Sequence, residues 1–530
     1  DNWIPTFQIS GTNDIASREV DDYFTDLEFS GFDGNIEANL AIGRLPADTP
    51  AELAVLVQKT IDAEVHFEPG LWRLNSLYIA DDEFTPRGPG EYFWVRQMED
   101  NIRERVPEEF REFKLYENEY PFKGGEKPDA TRQLINWINQ GNRIISYIGN
   151  AADSQWTHEN LLNINRDISS IVNENRTSFL LGYTKMYLYD QRPDGIVSDM
   201  LKFPNGGIWG TLVSTRVQFS FASEYVQNRF WQRLPFDYVG EAALHAKRGA
   251  TWDQTYRLLA DPAMKVYLPQ ENIQITSITP DTLKGRSLAT ITGVINSSDP
   301  TGMLWLEVRE PGEVIQYSDF SYESTGRAIF RGKVSITNAT FLAQFVVPED
   351  VNTGEFRTGA KIHAYSWNGS EEGMGYADSI VIGGLVQGSG DQTAPQLNLA
   401  IEQDSVASAT YLVANLSDNS GINLSELGNR QPVLFLDGNT QDSLFVGEFF
   451  SYDEGSYTTG QLRYPLPSLA DGSHTATLVI HDNYNNGAAD SLGFTITGLE
   501  PGQQIPTRIE LGNNYPDPYN PETTIPYSLS

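Results

Sequence analysis

The stretch Asp129 to Asn150 decides the fold of the first half: a helical pattern from Asp129 to Gln140 ends at Gly141, and the apolar run Ile144-Ile145-Ser146-Tyr147-Ile148-Gly149 follows. A helix that stops on glycine and feeds a short apolar strand is the repeating unit of a layered α/β sheet. Upstream, Thr49-Pro50-Ala51-Glu52 supplies an N-cap threonine, a proline at the first helical position and a glutamate three beyond the cap. With Leu53, Leu56 and Ile61 behind it, this predicts a helix to about Ala63. Downstream, Ser178 to Thr184 and Gly207 to Ser214 read as two more inner strands, with Asp153 to Asn175 between them as loop and helix. From residue 1 to 268 strand-like runs alternate with helical patterns, so a largely parallel sheet is expected, with any ligand at the carboxyl ends of its strands.

After about Gln270 the texture changes to short alternating stretches punctuated by Gly, Asn, Asp and Pro, as in immunoglobulin-like β-sandwiches. The linker Gly388-Ser389-Gly390-Asp391-Gln392-Thr393-Ala394-Pro395 divides a sandwich at 270–387 from a second at 395–499. A further boundary falls at Leu499-Glu500-Pro501-Gly502, and residues 503–530 open another β-rich module.

Three or four such units suit 530 residues, of which 39% are hydrophobic. The net charge of −34, from 71 acidic and 37 basic side chains, repels nucleic acid and anionic lipid. Zero cysteines remove disulfides, thiolate metal ligands and a cysteine nucleophile together. No apolar run reaches the length of a transmembrane helix. The chain opens at Asp1 without an initiator Met or a signal-peptide pattern, which reads as a processed or partly covered longer chain with sheet strands preceding Asp1.

Three segments, Ile42-Gly43-Arg44-Leu45-Pro46, Tyr147-Ile148-Gly149-Asn150 and Ala260-Asp261-Pro262, resemble in order and spacing the gingipain family of cysteine peptidases. The later domains resemble more narrowly that family's surface sortases of the type IX secretion system, the PorU type. The resemblance there lies in Phe345-Val346-Val347-Pro348-Glu349-Asp350, Ser417-Asp418-Asn419-Ser420-Gly421-Ile422-Asn423, Leu436-Asp437-Gly438, Tyr464-Pro465-Leu466 and Asp471-Gly472-Ser473-His474-Thr475. The segment from Leu511 to Pro521, with Asn514, Tyr515, Pro516, Pro518, Asn520 and Pro521, is similar to the opening of the type IX sorting tail. The resemblance implies a gingipain-like (caspase-like) α/β domain, then immunoglobulin-like sandwiches, then the start of a C-terminal sorting domain.

Family chemistry needs a thiolate activated by an imidazole, with an acid orienting the ring. The family's histidine follows glycine in a Tyr-x-Gly-His-Gly stretch, and that position is Asn150 here, an amide with no titratable proton near neutral pH. The cysteine position falls on Lys185, or on Thr184 in a slipped register, and the acidic partner aligns with Asn39, two residues from Glu37. All three roles are vacated. Substitutes are Ser146, Ser178 or Ser214 with His158 and an acid such as Asp153 or Glu159, or Lys185 as a buried lysine, although Gly-x-Ser-x-Gly is absent. Six scattered histidines and the lack of His-Glu-x-x-His argue against catalytic zinc. The chain requires no cofactor on this reading and shows no nucleotide fingerprint; Ca2+ held by loop carboxylates and carbonyls is the ion that fits an acidic extracellular protein.

The expectation is therefore a catalytically silent, PorU-like protein of the cell surface, outside the outer membrane, acting in binding, scaffolding or surface assembly. Its expected partners are an outer-membrane β-barrel of the type IX attachment complex, exported proteins bearing the sorting tail, or other surface-assembly subunits. The rival expectation is an active sortase or peptidase with a relocated nucleophile.

Overall fold

The computed structural model describes residues 40–82, 92–186, 195–215, 220–248, 255–266, 268–297, 299, 301–351, 359–388, 390–404, 409–425, 430–440 and 442–496. Outside these it describes four short strands, Phe7–Ile9, Tyr23–Thr25, Glu510–Leu511 and Tyr527–Ser528. Asn39 and the sorting-tail residues Asn514, Tyr515, Pro516, Pro518, Asn520 and Pro521 lie outside the described residues.

The principal strands of the first half are β1 (Asn75–Ala80), β2 (Arg111–Tyr116), β3 (Ile144–Ile148), β4 (Ser178–Lys185), β5 (Ile208–Ser214) and β6 (Tyr256–Leu259). They form one sheet in the order β6-β5-β4-β3-β1-β2, parallel throughout except for β6 against β5. Its helices are α1 (Pro50–Glu64), α2 (Phe93–Arg105), α3 (Pro128–Gln140), α4 (Ile196–Lys202), α5 (Ser220–Trp231) and α6 (Val239–Lys247). The capping box at Thr49 and Glu52 is formed in both directions, which fixes the start of α1. Gly141 ends α3 at φ +88°, a conformation that suits glycine, and turns the chain into β3.

Strand alternation assigns the two faces. Leu77, Ile79, Ile145 and Tyr147 meet Leu56 of α1, Leu134 and Ile138 of α3 and Met200 of α4. On the other face, Tyr78, Ala80 and Ile148 meet Val95, Met98 and Ile102 of α2, and Phe179 and Leu181 meet Val226 and Phe230 of α5. The chain places β2 on one side of β1 and then returns to place β3 on the other. The strand order thus reverses between β1 and β3, opening a crevice at their carboxyl ends.

Residues 153–175 correct the expectation of a helix: they form a two-residue hairpin, Gln155–Trp156 with Leu162–Asn163, and short 3-10 turns. Local side-chain bonds outcompete the helix here. The Asp167 carboxylate accepts from Asn163 N at 2.7 Å, and the Asn163 side-chain oxygen accepts from Asn165 N at 2.9 Å.

The second half is all β. Strands β7 (Glu271–Thr279), β8 (Leu288–Asn296), β9 (Gly302–Arg309), β10 (Ala328–Ile336), β11 (Thr340–Val346), β12 (Ala360–Trp367) and β13 (Glu372–Ile380) form a seven-stranded sheet, ordered β10-β9-β12-β13-β7-β8-β11. Residues 396–496 add two four-stranded sheets. Leu412, Leu416 and Leu462 of one join Leu434, Leu478 and Ile480 of the other in a core that is continuous with Ile291, Leu306, Phe330 and Phe345 of the seven-stranded sheet.

The β half docks on the amino ends of the α/β strands. Arg111, at the start of β2, donates to Glu307 of β9 at 2.9 and 2.7 Å. Arg73 and Arg143, just before β1 and β3, reach Glu372 at the start of β13, the former at 2.6 and 2.7 Å. A hairpin, Val314–Gln316 with Ser321–Glu323, reaches over α2, where Asp319 pairs with Arg96 at 2.6 Å. No helix among the described residues is long and apolar enough to cross a membrane.

Candidate functional site at the carboxyl edge of the sheet

The carboxyl edge of the sheet carries acids at the crevice. Asp81 and Asp82 directly follow β1, Glu117 directly follows β2, and Glu159 comes from the loop after β3. All four are buried, and one carboxylate oxygen from each lies within 4.8 Å of the others. Gly149 makes the approach feasible: at φ +151°, a Cβ there would stand 2.2 Å from Cβ of Asp81. The next residue, Asn150, donates its backbone N–H to Oδ2 of Asp81 at 2.6 Å.

Further groups fasten the loop. The Tyr147 hydroxyl donates to the carbonyl of Asn150, and the Trp156 ring lies against Tyr147 with centroids 4.7 Å apart. Thr157, a β-branched residue held at φ +59°, donates its hydroxyl to Oε1 of Glu117 at 3.2 Å. Lys127, one residue before α3, is buried and donates to Oδ2 of Asp82 at 2.5 Å and to the carbonyl of Glu117 at 2.7 Å.

Lys127 thus bonds the carboxylate of Asp82 alone among the four. Burial pushes the Asp81 carboxyl up to about 6 despite hydrogen bonding from Asn150, with Asp82 adding to the rise. Burial also pushes Glu159 up to about 7 and Glu117 well above its ordinary range, each reinforced by the neighbouring acids and opposed by Lys127. Oδ1 of Asp81, Oδ1 of Asp82, Oε2 of Glu117 and Oε2 of Glu159 are buried without a hydrogen-bond partner.

The residues singled out from sequence are distributed unevenly about this edge. Asn150 sits on it, and the pairing of Tyr147 with Gly182 brings the end of β4, where Lys185 lies, to the same end of the sheet. His158 stands in the loop beside Glu159, exposed and within electrostatic reach of Asp81. Ser178 begins β4 at the opposite, amino end, with its hydroxyl buried. That separates it from the loop 149–159 by the length of β3, about 16 Å for five residues. Ser146 lies mid-strand, 1% exposed, between Tyr78 and Leu181 on the flanking strands, with no route for a substrate. Ser214 is fully buried and bonded to the Thr255 hydroxyl at 3.1 Å. The edge thus gathers Asn150 and the acid Glu159, while none of the three serines opens onto it.

A comparison with known families decides the kinship: residues 1–267 match the peptidase family C25. The chain belongs to peptidase family C25. Among solved structures it is similar to the Arg-specific cysteine proteinase gingipain R (RGPB), at 11% identity, TM-score 0.38, over 68% of this chain and 79% of that one. It is also similar to dimeric latent PorU from Porphyromonas gingivalis, at 21% identity and TM-score 0.29. That likeness covers 99% of this chain and 47% of the PorU chain, so this chain spans about half the length of that relative. With both TM-scores below 0.5, the assignment rests on the C25 match alone. No curated protein matches the chain. A C25 chain without cysteine lacks the thiol that defines the family's chemistry.

Sequence reasoning named Glu159 only as a partner for His158 and passed over Asp81, Asp82, Glu117 and Lys127. A usable signal was present: acids immediately after Ala80 and Tyr116 stand at the carboxyl ends of two apolar runs, where α/β sheets hold ligands.

Proposed function

We propose that this C25 chain is catalytically silent and serves as a PorU-like cell-surface protein in binding, scaffolding or surface assembly linked to type IX secretion. One observation carries the reading: the chain has no cysteine, so the thiolate that the family's chemistry needs is missing, and the resemblance puts an amide side chain, Asn150, at the family's histidine position. A side-chain amide has no titratable proton near neutral pH and serves as neither general base nor general acid in acyl transfer. The partners proposed are an outer-membrane β-barrel of the type IX attachment complex, engaged through the tail at Leu511 to Pro521, and exported proteins bearing such tails. Placement outside the outer membrane follows from the same proposal and agrees with the acidic charge of −34.

Intact-mass spectrometry of a tail-bearing exported protein, incubated with this chain with and without the barrel, tests the reading. Co-purification with unchanged mass is the expected result. Cleavage or transfer at the tail that disappears on mutating one serine of this chain would instead establish a relocated nucleophile.

A further inference from the structure

We infer that Asp81, Asp82, Glu117 and Glu159 form a binding site for one hard divalent cation of the calcium type, closing the crevice between β1 and β3. Two independent observations point there. The first is convergence: four carboxylates from two strand ends and one loop bring ligand atoms within 4.8 Å of one another. The second is unfilled valence. Each of the four residues is at least 96% buried and leaves one carboxylate oxygen with no hydrogen-bond partner. Unpaired buried carboxylate oxygens are costly, and Lys127 answers only Asp82 among the four side chains.

The remaining oxygens show how such a site is oriented. Asn150 N holds Oδ2 of Asp81, Lys127 holds Oδ2 of Asp82, and the Thr157 hydroxyl holds Oε1 of Glu117. In each case one oxygen is fixed by a protein donor and the other is left over. This is the division of labour by which outer contacts aim metal ligands.

Ion size favours calcium. Oxygens on opposite sides of Ca2+ stand about 4.6–5.2 Å apart, twice the Ca–O distance, and the carboxylates lie inside that span. Magnesium keeps several of its waters, for which a pocket closed by four buried carboxylates leaves little room. The chemistry is all oxygen, which disfavours zinc and other metals that prefer nitrogen or sulfur.

A second acidic group, Asp391, Asp418 and Asp482, lies in the last β unit and leaves one buried oxygen without a partner, Oδ2 of Asp391, against four in the crevice. Its acids serve their own turns: Asp418 accepts from the N–H and hydroxyl of Ser420 at 2.7 Å each, and Asp482 accepts from Tyr484 N and Asn486 N at 2.9 and 2.7 Å. It therefore serves as the control. The inference does not depend on the proposed function, since it concerns the crevice and not the partner.

The test is a titration of the chelator-treated full chain with Ca2+ by calorimetry, joined to tryptophan-sensitised terbium luminescence, because Trp156 adjoins the site through Thr157. One saturable site is expected, with terbium displaced by calcium. The double variant Asp82→Asn/Glu159→Gln should weaken binding at least tenfold while circular dichroism is unchanged, and Asp391→Asn should leave binding as it was. Glu117→Gln, which removes charge with little change of shape, should weaken binding as well and guards against a folding artefact in the double variant. Absence of saturable binding up to about 10 mM, above the range of extracellular calcium modules, overturns the inference. So does binding lost through Asp391→Asn but retained in the double variant and in Glu117→Gln.

Discussion

The two ends of one sheet treat buried acid in opposite ways. At the amino end, Glu307 is surrounded by the guanidinium groups of Arg111, Arg309 and Arg331, and Glu448 shares the last two at 2.9 and 2.5 Å. Arg111 and Arg309 also lie over the Phe113 ring. Despite burial, these arginines hold the Glu307 carboxyl well below its ordinary range and Glu448 down to about 2. At the carboxyl end, Lys127 bonds only Asp82 of four carboxylates, and burial drives the other three upward. A satisfied acid network fastens two domains, whereas an unsatisfied one at a switch point awaits something positive.

The largest effect should come from emptying the amino end. Glu307→Ala leaves three buried guanidinium groups without their shared acid, and breaking such a pair costs about 3–5 kcal/mol. Denaturant unfolding should show that loss, along with easier proteolysis near residues 268–270, where the α/β half passes into the β half. At the carboxyl end the sign differs. In chelator, Glu117→Gln removes a charge from an over-acid pocket and should change stability by less than about 1 kcal/mol or raise it. An equal loss from both variants would erase the distinction between the two ends.

Acid should act next, through Glu372. Its carboxyl is held down to about 2 against burial, chiefly by Arg143 and Arg73. A depressed carboxylate contributes stability that is complete above its unfolded value near 4.5 and drains away as pH falls toward 2. A shift of this size is worth on the order of 3 kcal/mol. Docking of the β half, followed by limited proteolysis with an acid-tolerant protease, should loosen across that window, and Glu372→Gln should flatten the dependence. A flat profile in the unsubstituted chain would remove this contact from the docking account.

The contrast also explains what the sequence could disclose. The unit from Asp129 to Ile148 was legible because its signals are local: a helical pattern, Gly141 at its end and an apolar run behind. The absence of a thiol was legible as well, since a missing residue type is visible without a structure. Neither acid network was. Arg111 and Glu307 stand 196 residues apart, and each alone reads as an ordinary surface charge. Asp81, Asp82, Glu117 and Glu159 come together only because the strand order reverses between β1 and β3, a fact of topology and not of pattern. The loop 153–175 misled for a related reason, its Asn and Asp side chains capturing backbone N–H groups that a helix would have used.

The smallest effect should come from Ser178→Ala, and its smallness is informative. The Ser178 hydroxyl is fully buried at the amino end with no hydrogen-bond partner. Removing an unsatisfied buried hydroxyl gives up no hydrogen bond and costs only a few contacts, so stability should move by less than about 1 kcal/mol, in either direction. Any processing of a tail-bearing protein should be unaffected, because a nucleophile there would lie the length of a strand from Asn150. A serine that acts must open onto the carboxyl edge. Loss of processing in Ser178→Ala at unchanged stability would move the working surface of this sheet to its docked end and reverse the assignment of the two ends.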